Sequence, residues 1–588
     1  MIDWKTHSLI NYFHNKNSEV VLKLINNETK EIEYKKEEYS HYFFIESKDV
    51  EQTQIALKDF IFVQDNNNEM FHLQFDFRNE GKYTKVVTFF EGTPYLYSVI
   101  KEIIKHLDAH NIKHYECDLL PGDNLILSED TQISNTYRIL YYDIETKDTQ
   151  GGVEIGRDRI LSICAVDNQG KEYKFSYDNE KETLTDFMKI VENYDMLISW
   201  NGKKFDSPYL KARLKVNNIL FSFKSIIEID EMLVFMASFA VKVRSGQKFL
   251  TSYSLSNVAK NFINDDKLKL DDDSEGYGGK LWKLFNENRQ KLIAYNLQDC
   301  RLLKRLDEEF HLIENEIELA KLVKAPLSKT RSLTSMIDFL IIREARKRNT
   351  HMISKMFKDE VSKQYAGGYV LDAVPGLYEK VHIFDFASLY PSIVRTFNLS
   401  FDTLLDTNFS GDCIVTPNNI KYSKTLGIVP AVMNELTELR LKYKNEQQEL
   451  KDSGDSHKAL LKEFQQTAVK VLILGLYGIT GAPHSRLFNL SVAETTTLAG
   501  QALIKSVIQQ LDSNGFKVVM SDTDSVAFQI LDDSRLEEAK LLIKIAINKI
   551  VKDSNTSFTN YLRMEHEKIL SKFIVLAKKK YVGLVIAE

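Results

Sequence analysis

Two long helical runs joined by a short turn constrain the fold of this chain more than any other feature. Residues 430–451 and 457–478 have helical character, and the segment between them, Lys451-Asp452-Ser453-Gly454-Asp455-Ser456, has the composition of a turn. A short connection of this kind brings two helices back alongside each other. The sequence therefore predicts a long antiparallel helical hairpin.

The length and composition of the chain predict a globular protein of several units. A chain of 588 residues is too long for one core, so we expect three to five packed units. Apolar residues make up 43% and charged residues 27%, with only nine prolines, which excludes a disordered chain. The net charge of −6 does not exclude nucleic acid, because carboxylate-rich sites can outweigh local basic surfaces.

The four cysteines, Cys117, Cys164, Cys300 and Cys413, form no close pair typical of a zinc site or a disulfide framework. Neither the N-terminus nor any other stretch has the apolar length of a membrane span. We therefore predict a protein of the cytoplasm, or of the host cytoplasm if it is viral, that is not secreted and does not contact a membrane.

The pattern of apolar residues changes along the chain. Residues 1–135 contain short β-rich runs, and Pro121-Gly122-Asp123-Asn124 is interpreted as a connector. Residues 136–315 alternate strands with helices, including a predicted helix from Trp282 to Glu308, which indicates an α/β unit. Residues 316–364 are predicted to be mostly helical.

A first group of carboxylates is predicted within the α/β unit. Asp143 and Glu145 are two apart on a strand and so share one face, while Asp206 follows a second strand. Tyr295 and Asp299 stand at i and i+4 on a helix. Four such carboxylates could hold two Mg²⁺ ions about 4 Å apart, an arrangement that hydrolyses phosphodiesters. Any one of these acids alone would be interpreted as a solvated residue.

A second group of carboxylates comes later in the chain. Asp385 ends a buried-looking strand, and Asp522 and Asp524 are predicted at the tip of an apolar hairpin. Carboxylates that hold two Mg²⁺ ions can activate a 3′-hydroxyl and neutralise a leaving pyrophosphate. Asp-Thr-Asp also occurs as an ordinary turn, so the assignment depends on Asp385 and on nearby cations.

The helical hairpin supplies such cations. Arg440 and Lys444 are i and i+4 on one helix, Lys470 is on the other, and at about 1.5 Å per residue Arg440 and Lys470 both lie about 20 Å below the turn. They could clamp a triphosphate, although solvated lysines are the ordinary alternative. Because Lys470 shares a face with Leu474 and Tyr477 in an apolar run, we expect it to need an anionic partner.

Two tyrosines near these cations have candidate roles. Tyr477-Gly478 presents an aromatic face next to a residue without a side chain, which suits packing on a new base pair. Tyr390 is predicted to exclude a 2′-hydroxyl from the sugar site. The alternative for each is a core tyrosine.

The motifs together resemble those of family B DNA polymerases with a 3′→5′ exonuclease. Asp-Ile-Glu, Asn-x-x-x-Phe-Asp and Tyr-x-x-x-Asp are similar to the exonuclease motifs, and Asp-x-x-Ser-Leu-Tyr-Pro-Ser, Lys-x₆-Tyr-Gly and Asp-Thr-Asp-Ser to the polymerase motifs. The resemblance implies a β-rich N-terminal domain (1–135), an RNase-H-like exonuclease (136–315), a helical connector (316–364), a right-hand palm (365–429 and 481–588) and helical-hairpin fingers (430–480).

The resemblance also implies roles for individual residues. Tyr295 would orient the attacking water, Asn201 and Phe205 would contact the primer end, Ser388 and Leu389 would bind nucleotide, and Phe386 would join the metal site. Tyr365, Gly367 and Gly368 would lie where DNA switches between synthesis and editing. Of the two glutamates Glu565 and Glu567, the resemblance places Glu567 near the metals. Lys578, Lys579, Lys580 and Tyr581 are predicted on a strand that grips the primer backbone. Each site would take two Mg²⁺ ions, with Mn²⁺ as a substitute.

Three features depart from the family pattern. Leu474-Gly475 stands in place of Asn-Ser, and Met520-Ser521 in place of Tyr-Gly. The chain also stops shortly after Tyr581, so we expect the thumb to be a separate polypeptide or absent from this chain. Primer-template DNA and dNTPs are the expected partners, and a sliding clamp is left open.

Two alternatives to a proofreading polymerase are considered. The first is a polymerase-like exonuclease or DNA-binding subunit whose polymerase site has decayed, as Leu474-Gly475 and Met520-Ser521 suggest. The second is a protein-primed polymerase, which the short interval between Asp385 and Lys470 disfavours.

Overall fold

The computed structural model describes residues 2–14, 19–37, 40–58, 60–64, 69–90, 96–128, 130–148, 154–244, 250, 252–269, 277–355, 366–372 and 374–587. The strands are β1 His7–His14, β2 Val20–Asn26, β3 Ile32–Glu37, β4 His41–Glu46, β5 Ile61–Gln64, β6 Glu69–Glu80, β7 Tyr83–Phe90, β8 His114–Tyr115, β9 Ile139–Thr146, β10 Ile160–Asp167, β11 Glu172–Phe175, β12 Met196–Ser199, β13 Ile227–Asp230, β14 Gly376–Phe386, β15 Ile414–Val415, β16 Lys421–Tyr422, β17 Lys517–Asp522, β18 Ser525–Gln529, β19 Met564–Ala577 and β20 Lys580–Ala587.

The helices are α1 Val50–Leu57, α2 Leu96–Ala109, α3 Pro121–Ser128, α4 Glu180–Val191, α5 Asp206–Val216, α6 Glu231–Arg244, α7 Leu255–Phe262, α8 Tyr277–Glu287, α9 Arg289–Phe310, α10 Leu312–Val323, α11 Leu327–Thr330, α12 Leu333–Lys347, α13 Leu389–Thr396, α14 Ile428–Asp452, α15 Ser456–Gly478, α16 Leu490–Ser513 and α17 Leu536–Asp553. Among the described helices, none combines the length and the apolar character that a bilayer crossing requires.

The chain forms two compact units, each built from two separate segments. The first unit comprises Met1–His41 and Leu120–Arg331, and the second comprises Tyr42–Leu119 and Ser332–Glu588. Residues 1–135, for which the sequence predicts one domain, are thus divided between the two units. They also contain the helices α1, α2 and α3, and α3 occupies the segment that we interpreted as a connector.

The first unit contains a mixed five-stranded sheet. Its order is β11-β10-β9-β12-β13, in which β12 is parallel to both β9 and β13 while β10 is antiparallel to β9. Leu140, Tyr142 and Ile144 of β9 pack into the main core. The alternate residues of β9 face helix α9, where Tyr141 donates a hydrogen bond to Asp307. The predicted helix from Trp282 to Glu308 is in fact two helices, because Asn288 caps the start of α9 by accepting from the Lys291 amide.

The second unit contains an antiparallel sheet of order β17-β18-β14-β19-β20 and a second five-stranded sheet of order β5-β6-β7-β4-β8. The predicted helical hairpin is present as α14 and α15. Lys578 and Lys579 form the turn between β19 and β20 rather than part of a strand, because Lys579 adopts a left-handed conformation with φ of 61°. Only Lys580 begins the next strand.

Two neighbouring strands of the antiparallel sheet carry a histidine pair, the buried His382 of β14 and the partly buried His566 of β19. His382 Nδ1 is 3.0 Å from His566 Nε2, and the His566 ring stacks on Phe384. Burial and the neighbouring His566 lower the pKa of His382 to about 4, and burial also lowers the pKa of His566. Both rings are therefore neutral in the folded protein at neutral pH.

This pair predicts acid sensitivity of the fold. Between pH 6.5 and pH 4 the unfolded chain binds a proton at His382 that the folded chain does not, so the free energy of unfolding falls as the pH falls, by up to about 3 kcal/mol. His382→Phe keeps the ring and should flatten this part of the stability curve. Denaturant unfolding at a series of pH values measures the difference, and equal pH slopes for the variant and the parent protein would contradict the assignment.

Candidate active sites

The first site is a cavity of about 570 Å³ in the first unit. Asp143 and Glu145 reach it from β9, Asp206 from the start of α5 and Asp299 from α9. The side chains of Trp200, Asn201 and Phe205 also line it. Every predicted carboxylate of the first group therefore opens into one cavity. Tyr295 is buried beside Leu161 and Phe285 and is not among the lining residues.

Three of the four carboxylates converge closely. One oxygen each from Asp143, Glu145 and Asp299 lies within 4.8 Å of the others, a spacing that suits a metal ion. Asp299 Oδ1 is buried and has no hydrogen-bond partner, which is typical of an oxygen that binds a cation. Asp206 stands slightly apart, accepting a hydrogen bond from the Ile144 amide at 3.4 Å.

The electrostatics of this cluster are those of like charges packed together in a buried position. Burial and the carboxylates of Asp299, Asp206 and Glu145 raise the pKa of Asp143, and burial raises the pKa of Asp206 to about 7. Such mutual repulsion is what a bound divalent cation relieves. The donor set, all hard carboxylate oxygens, fits a cation of the Mg²⁺ or Mn²⁺ type.

Two residues that sequence reasoning missed contact the cluster. Lys267 forms an ion pair of 2.5 Å with Asp299 Oδ2. Burial would lower the pKa of Lys267, but the charges of Asp299 and Asp143 outweigh burial and raise it. Asn296 donates a hydrogen bond of 2.6 Å to Asp143 Oδ2. Lys267 lies in a polar loop, where a lysine is unremarkable. Asn296 does not lie on the helix face that Tyr295 and Asp299 share. Neither position therefore gave a signal in the sequence.

The second site is built at one end of the antiparallel sheet of the second unit. Asp385 pairs with Ser525 across β14 and β18, and the Phe386 amide donates to the Asp524 carbonyl at 2.9 Å. Thr523 at the tip has a φ of 58°, which turns the chain tightly between the two aspartates. The predicted hairpin therefore sets Asp524 beside Asp385.

The acids of the second site differ in their surroundings. Burial and the carboxylates of Asp524, Glu567 and Glu565 raise the pKa of Asp385 to about 7, and burial raises that of Asp524. Asp522 instead forms an ion pair of 3.4 Å with Lys579. Among the residues that the structure describes, the close trio of metal-ligand oxygens is that of the first site, so these three aspartates are more widely spaced.

The segment 366–372 pairs with the acidic hairpin. The Thr523 amide donates to the Tyr369 carbonyl at 2.8 Å, and Val370 bridges to Asp522. A Cβ on Gly368 would stand 2.6 Å from Thr523 Cγ2, so only glycine permits this approach. Gly367 accepts a hydrogen bond from Gln501. Tyr365 lies outside the described residues.

The helical hairpin carries a cluster of cations. Burial lowers the pKa of Lys444, and the charges of Arg440 and Lys470 lower it further, so the three predicted residues lie near one another. The premise that Lys470 lies in buried, apolar surroundings is wrong, whereas its anionic partner stays a prediction. Lys470 is exposed, and Leu474 on the same face is 47% exposed, because this side of α15 is not covered.

A tyrosine of this hairpin, Tyr477 of α15, contacts Tyr390 of α13. The ring centroids of Tyr390 and Tyr477 are 4.6 Å apart, and Gly478 has open space where a side chain would lie. Ser388 has a φ of 57°, after which Leu389 begins α13. The side chains of Phe386 and Leu389 are buried, so each offers only its backbone to a ligand.

The structure gives a reason for one departure from the family pattern. A Cβ on Gly475 would lie 2.8 Å from Leu333 and 3.0 Å from Ile337, so Gly475 permits α15 to approach α12 closely. Nothing in the structure explains the second departure, Met520-Ser521.

Lys578 pairs with Asp372 at 3.6 Å, and the Tyr581 ring packs on Phe573.

These observations define a class of protein with two acidic sites. In one site carboxylates converge at a mixed sheet, and the other site lies beside a cationic helical hairpin. Comparison with known proteins gives the family. Residues 325–588 match the model described as DNA polymerase family B, and residues 140–311 match the model described as RNase_H superfamily. The chain is therefore similar to family B DNA polymerases over its C-terminal part and has an RNase-H-like domain before it.

Individual relatives agree with these matches. The chain is 28% identical to DNA polymerase 1 of Pyrococcus abyssi (strain GE5 / Orsay) and 29% identical to the DNA polymerase of Thermococcus gorgonarius, over 75% and 76% of this chain and 59% of each relative. It is 28% identical to the DNA polymerase delta catalytic subunit of Glycine max over 76% of this chain and 46% of that relative. The chain thus spans about half to three-fifths of these relatives.

A solved structure shares the fold. The family B DNA polymerase from the hyperthermophilic archaeon Pyrobaculum calidifontis superposes with a TM-score of 0.66 at 20% sequence identity. The match covers 98% of this chain and 80% of that chain.

Proposed function

We propose that this chain extends a DNA primer with dNTPs under the direction of a template and removes mispaired 3′ ends by hydrolysis. The observation that carries the proposal is the grouping of carboxylates into two separate sites, one within 4.8 Å on the mixed sheet and one around Asp385 and Asp524. The proposed exonuclease domain is residues 136–315, the palm 365–429 and 481–588, and the fingers 430–480, with 1–135 and 316–364 as the N-terminal domain and connector.

In the proposed polymerase site, Asp385 and Asp524 would hold two Mg²⁺ ions, with Asp522 and the Phe386 carbonyl beside them. Bound Mg²⁺ would activate the 3′-hydroxyl and stabilise charge on the phosphates. Arg440, Lys444 and Lys470 would bind the triphosphate, with the Ser388 and Leu389 backbone nearby. Tyr390 would contact the sugar and Tyr477-Gly478 the new base pair. The contact between the two tilted rings and the open space at Gly478 support this proposal.

In the proposed exonuclease site, Asp143, Glu145, Asp206 and Asp299 would hold Mg²⁺, and Mn²⁺ could substitute. Asn201 and Phe205 line the same cavity and would hold the terminal nucleotide. Tyr295 is proposed to orient the attacking water from α9. Tyr365, Gly367 and Gly368 with the basic turn at Lys578, Lys579, Lys580 and Tyr581 are proposed to contact the DNA. The small number of cysteines, four without a close pair in the sequence, supports a reducing compartment such as the cytoplasm.

The test is a paired assay of the full chain with Mg²⁺ on a labelled primer-template. With dNTPs we expect primer extension, and without dNTPs we expect stepwise shortening from the 3′ end. Shortening without extension under any condition would favour the alternative, an exonuclease or binding subunit with a decayed polymerase site. The ion pair that occupies Asp522 and the uncovered Leu474 are the observations that favour that alternative.

We also propose that a thumb on a separate polypeptide completes DNA binding. Its support is the apolar surface of β20, where Val582, Leu584 and Ile586 are 61%, 64% and 62% exposed. Exposed apolar strands of this kind are usual where a partner binds.

This proposal predicts weak DNA binding by the chain alone. We expect dissociation of the primer-template after a few nucleotides and binding that weakens steeply with salt, because phosphate contacts alone would hold the duplex. Fluorescence anisotropy at several salt concentrations and single-turnover extension with excess trap DNA measure both. Tight, processive synthesis by the chain alone would contradict the separate thumb. A sliding clamp stays an open partner.

A further inference from the structure

The side chain of Asn296 connects the exonuclease cluster to the sheet beneath it. Asn296 is fully buried in α9, and its Nδ2 donates a hydrogen bond of 2.6 Å to Asp143 Oδ2. Its Oδ1 accepts a hydrogen bond of 3.1 Å from the hydroxyl of Ser162, which is fully buried in β10. The three side chains form one chain of hydrogen bonds from β10 through α9 to β9.

The chemistry of the three groups fixes the direction of these bonds. An ionised carboxylate accepts hydrogen bonds and cannot donate, so the amide must turn its NH₂ group toward Asp143. Its carbonyl then faces Ser162, and the serine hydroxyl must donate. Ser162 therefore determines the orientation of the Asn296 amide, and Asn296 holds the Asp143 carboxylate through its Oδ2.

We propose that Asn296 is a positioning residue, oriented by Ser162, that holds Asp143 ready to bind a divalent cation with Glu145 and Asp299. The inference rests on the proposed exonuclease function, because that function would use the bound cation. What it states directly is an effect on cation binding. A rigid ligand loses less freedom when the cation binds, and partners that hydrogen-bond metal ligands typically contribute about 10- to 100-fold to metal affinity.

The experiment measures Mn²⁺ binding to the full chain by electron paramagnetic resonance, in an Asp524→Asn background that weakens the second site. Asn296→Leu keeps nearly the same volume but removes the donor, and we expect Mn²⁺ binding to weaken about 10- to 100-fold. Ser162→Ala leaves the amide in place but free to rotate, and we expect a smaller loss. Asn217→Ala is the matched control, because Asn217 also donates to a carboxylate, Glu180 at 3.1 Å, outside the cavity.

Further readouts separate positioning from a structural role. Positioning predicts that the Mn²⁺ concentration for half-maximal exonuclease rate rises in Asn296→Leu while the rate at saturating Mn²⁺ recovers, and that the melting temperature without metal changes no more than in Asn217→Ala. Unchanged Mn²⁺ binding in both Asn296→Leu and Ser162→Ala would overturn the inference. If Asn296→Leu does not fold, Ser162→Ala alone decides.

The inference and the proposed function can fail separately. Mn²⁺ binding that is lost in Asp143→Ala and weakened in Asn296→Leu, without any hydrolysis of DNA by the parent protein, would remove the exonuclease function and keep the positioning role. Hydrolysis by the parent protein with Mn²⁺ affinity unaffected by Asn296→Leu and Ser162→Ala would do the reverse.

Discussion

Asp524→Asn is expected to reduce primer extension at least about 1,000-fold while 3′→5′ hydrolysis stays within about twofold of the parent protein. Asp524 lies beside Asp385 at the turn between β17 and β18, and the amide that replaces it keeps the shape but loses the charge that would hold a cation. The unchanged hydrolysis follows because the carboxylates of the other site lie in a different compact unit. Single-turnover assays with and without dNTPs measure both rates.

Asp533→Asn is the matched control for this prediction. Asp533 belongs to the same unit, but it is exposed and pairs with Lys380 at 3.2 Å. We expect this variant to keep both rates. A similar loss of extension in both variants would point to a general effect of charge, and full extension by Asp524→Asn would remove Asp524 from the catalytic site.

Arg486→Met should destabilise the second unit by about 3–5 kcal/mol, because it leaves buried carboxylates without their partner. The Arg486 side chain is fully buried, contacts Asp118 at 2.7 Å and Asp338 at 3.1 Å, and donates to the Ile353 carbonyl at 2.7 Å. Asp338 keeps its pair with Lys355, whereas Asp118 would keep only the Lys355 backbone amide. Urea unfolding followed by far-UV circular dichroism measures the change.

A surface ion pair supplies the comparison. Lys458 is largely in solvent and pairs with Asp455 at 2.8 Å, so Lys458→Met should shift the urea midpoint much less than Arg486→Met. Equal shifts in the urea midpoint for Arg486→Met and Lys458→Met would mean that the buried pair contributes no more than an exposed one.

Local patterns in the sequence were sufficient for the elements that carry the acids. The helical hairpin, the strand with Asp143 and Glu145, and the turn with Asp522 and Asp524 each have a spacing that sets their geometry, and the structure has all three. The similarity to family B DNA polymerases and an RNase-H-like domain were also predicted from motifs alone, and the comparisons confirm both.

Other features depend on contacts between distant residues and left no local signal. Asn296 and Lys267 contact the acids through side chains whose neighbours in sequence give no hint of it. The exposure of Lys470 depends on what covers α15, not on the apolar run around it. The break before α9 depends on one capping asparagine inside a strongly helical stretch.

The order of the segments along the chain limits how this protein can be divided. Neither compact unit is encoded by a continuous stretch, since each combines residues from before Leu120 with residues from well beyond it. A fragment that starts at Ser332 would lack the sheet of β4 to β8 and the carboxylate of Asp118 that Arg486 requires. A gene interrupted near that point would thus leave the first unit whole on one product and divide the core of the second unit between the two products.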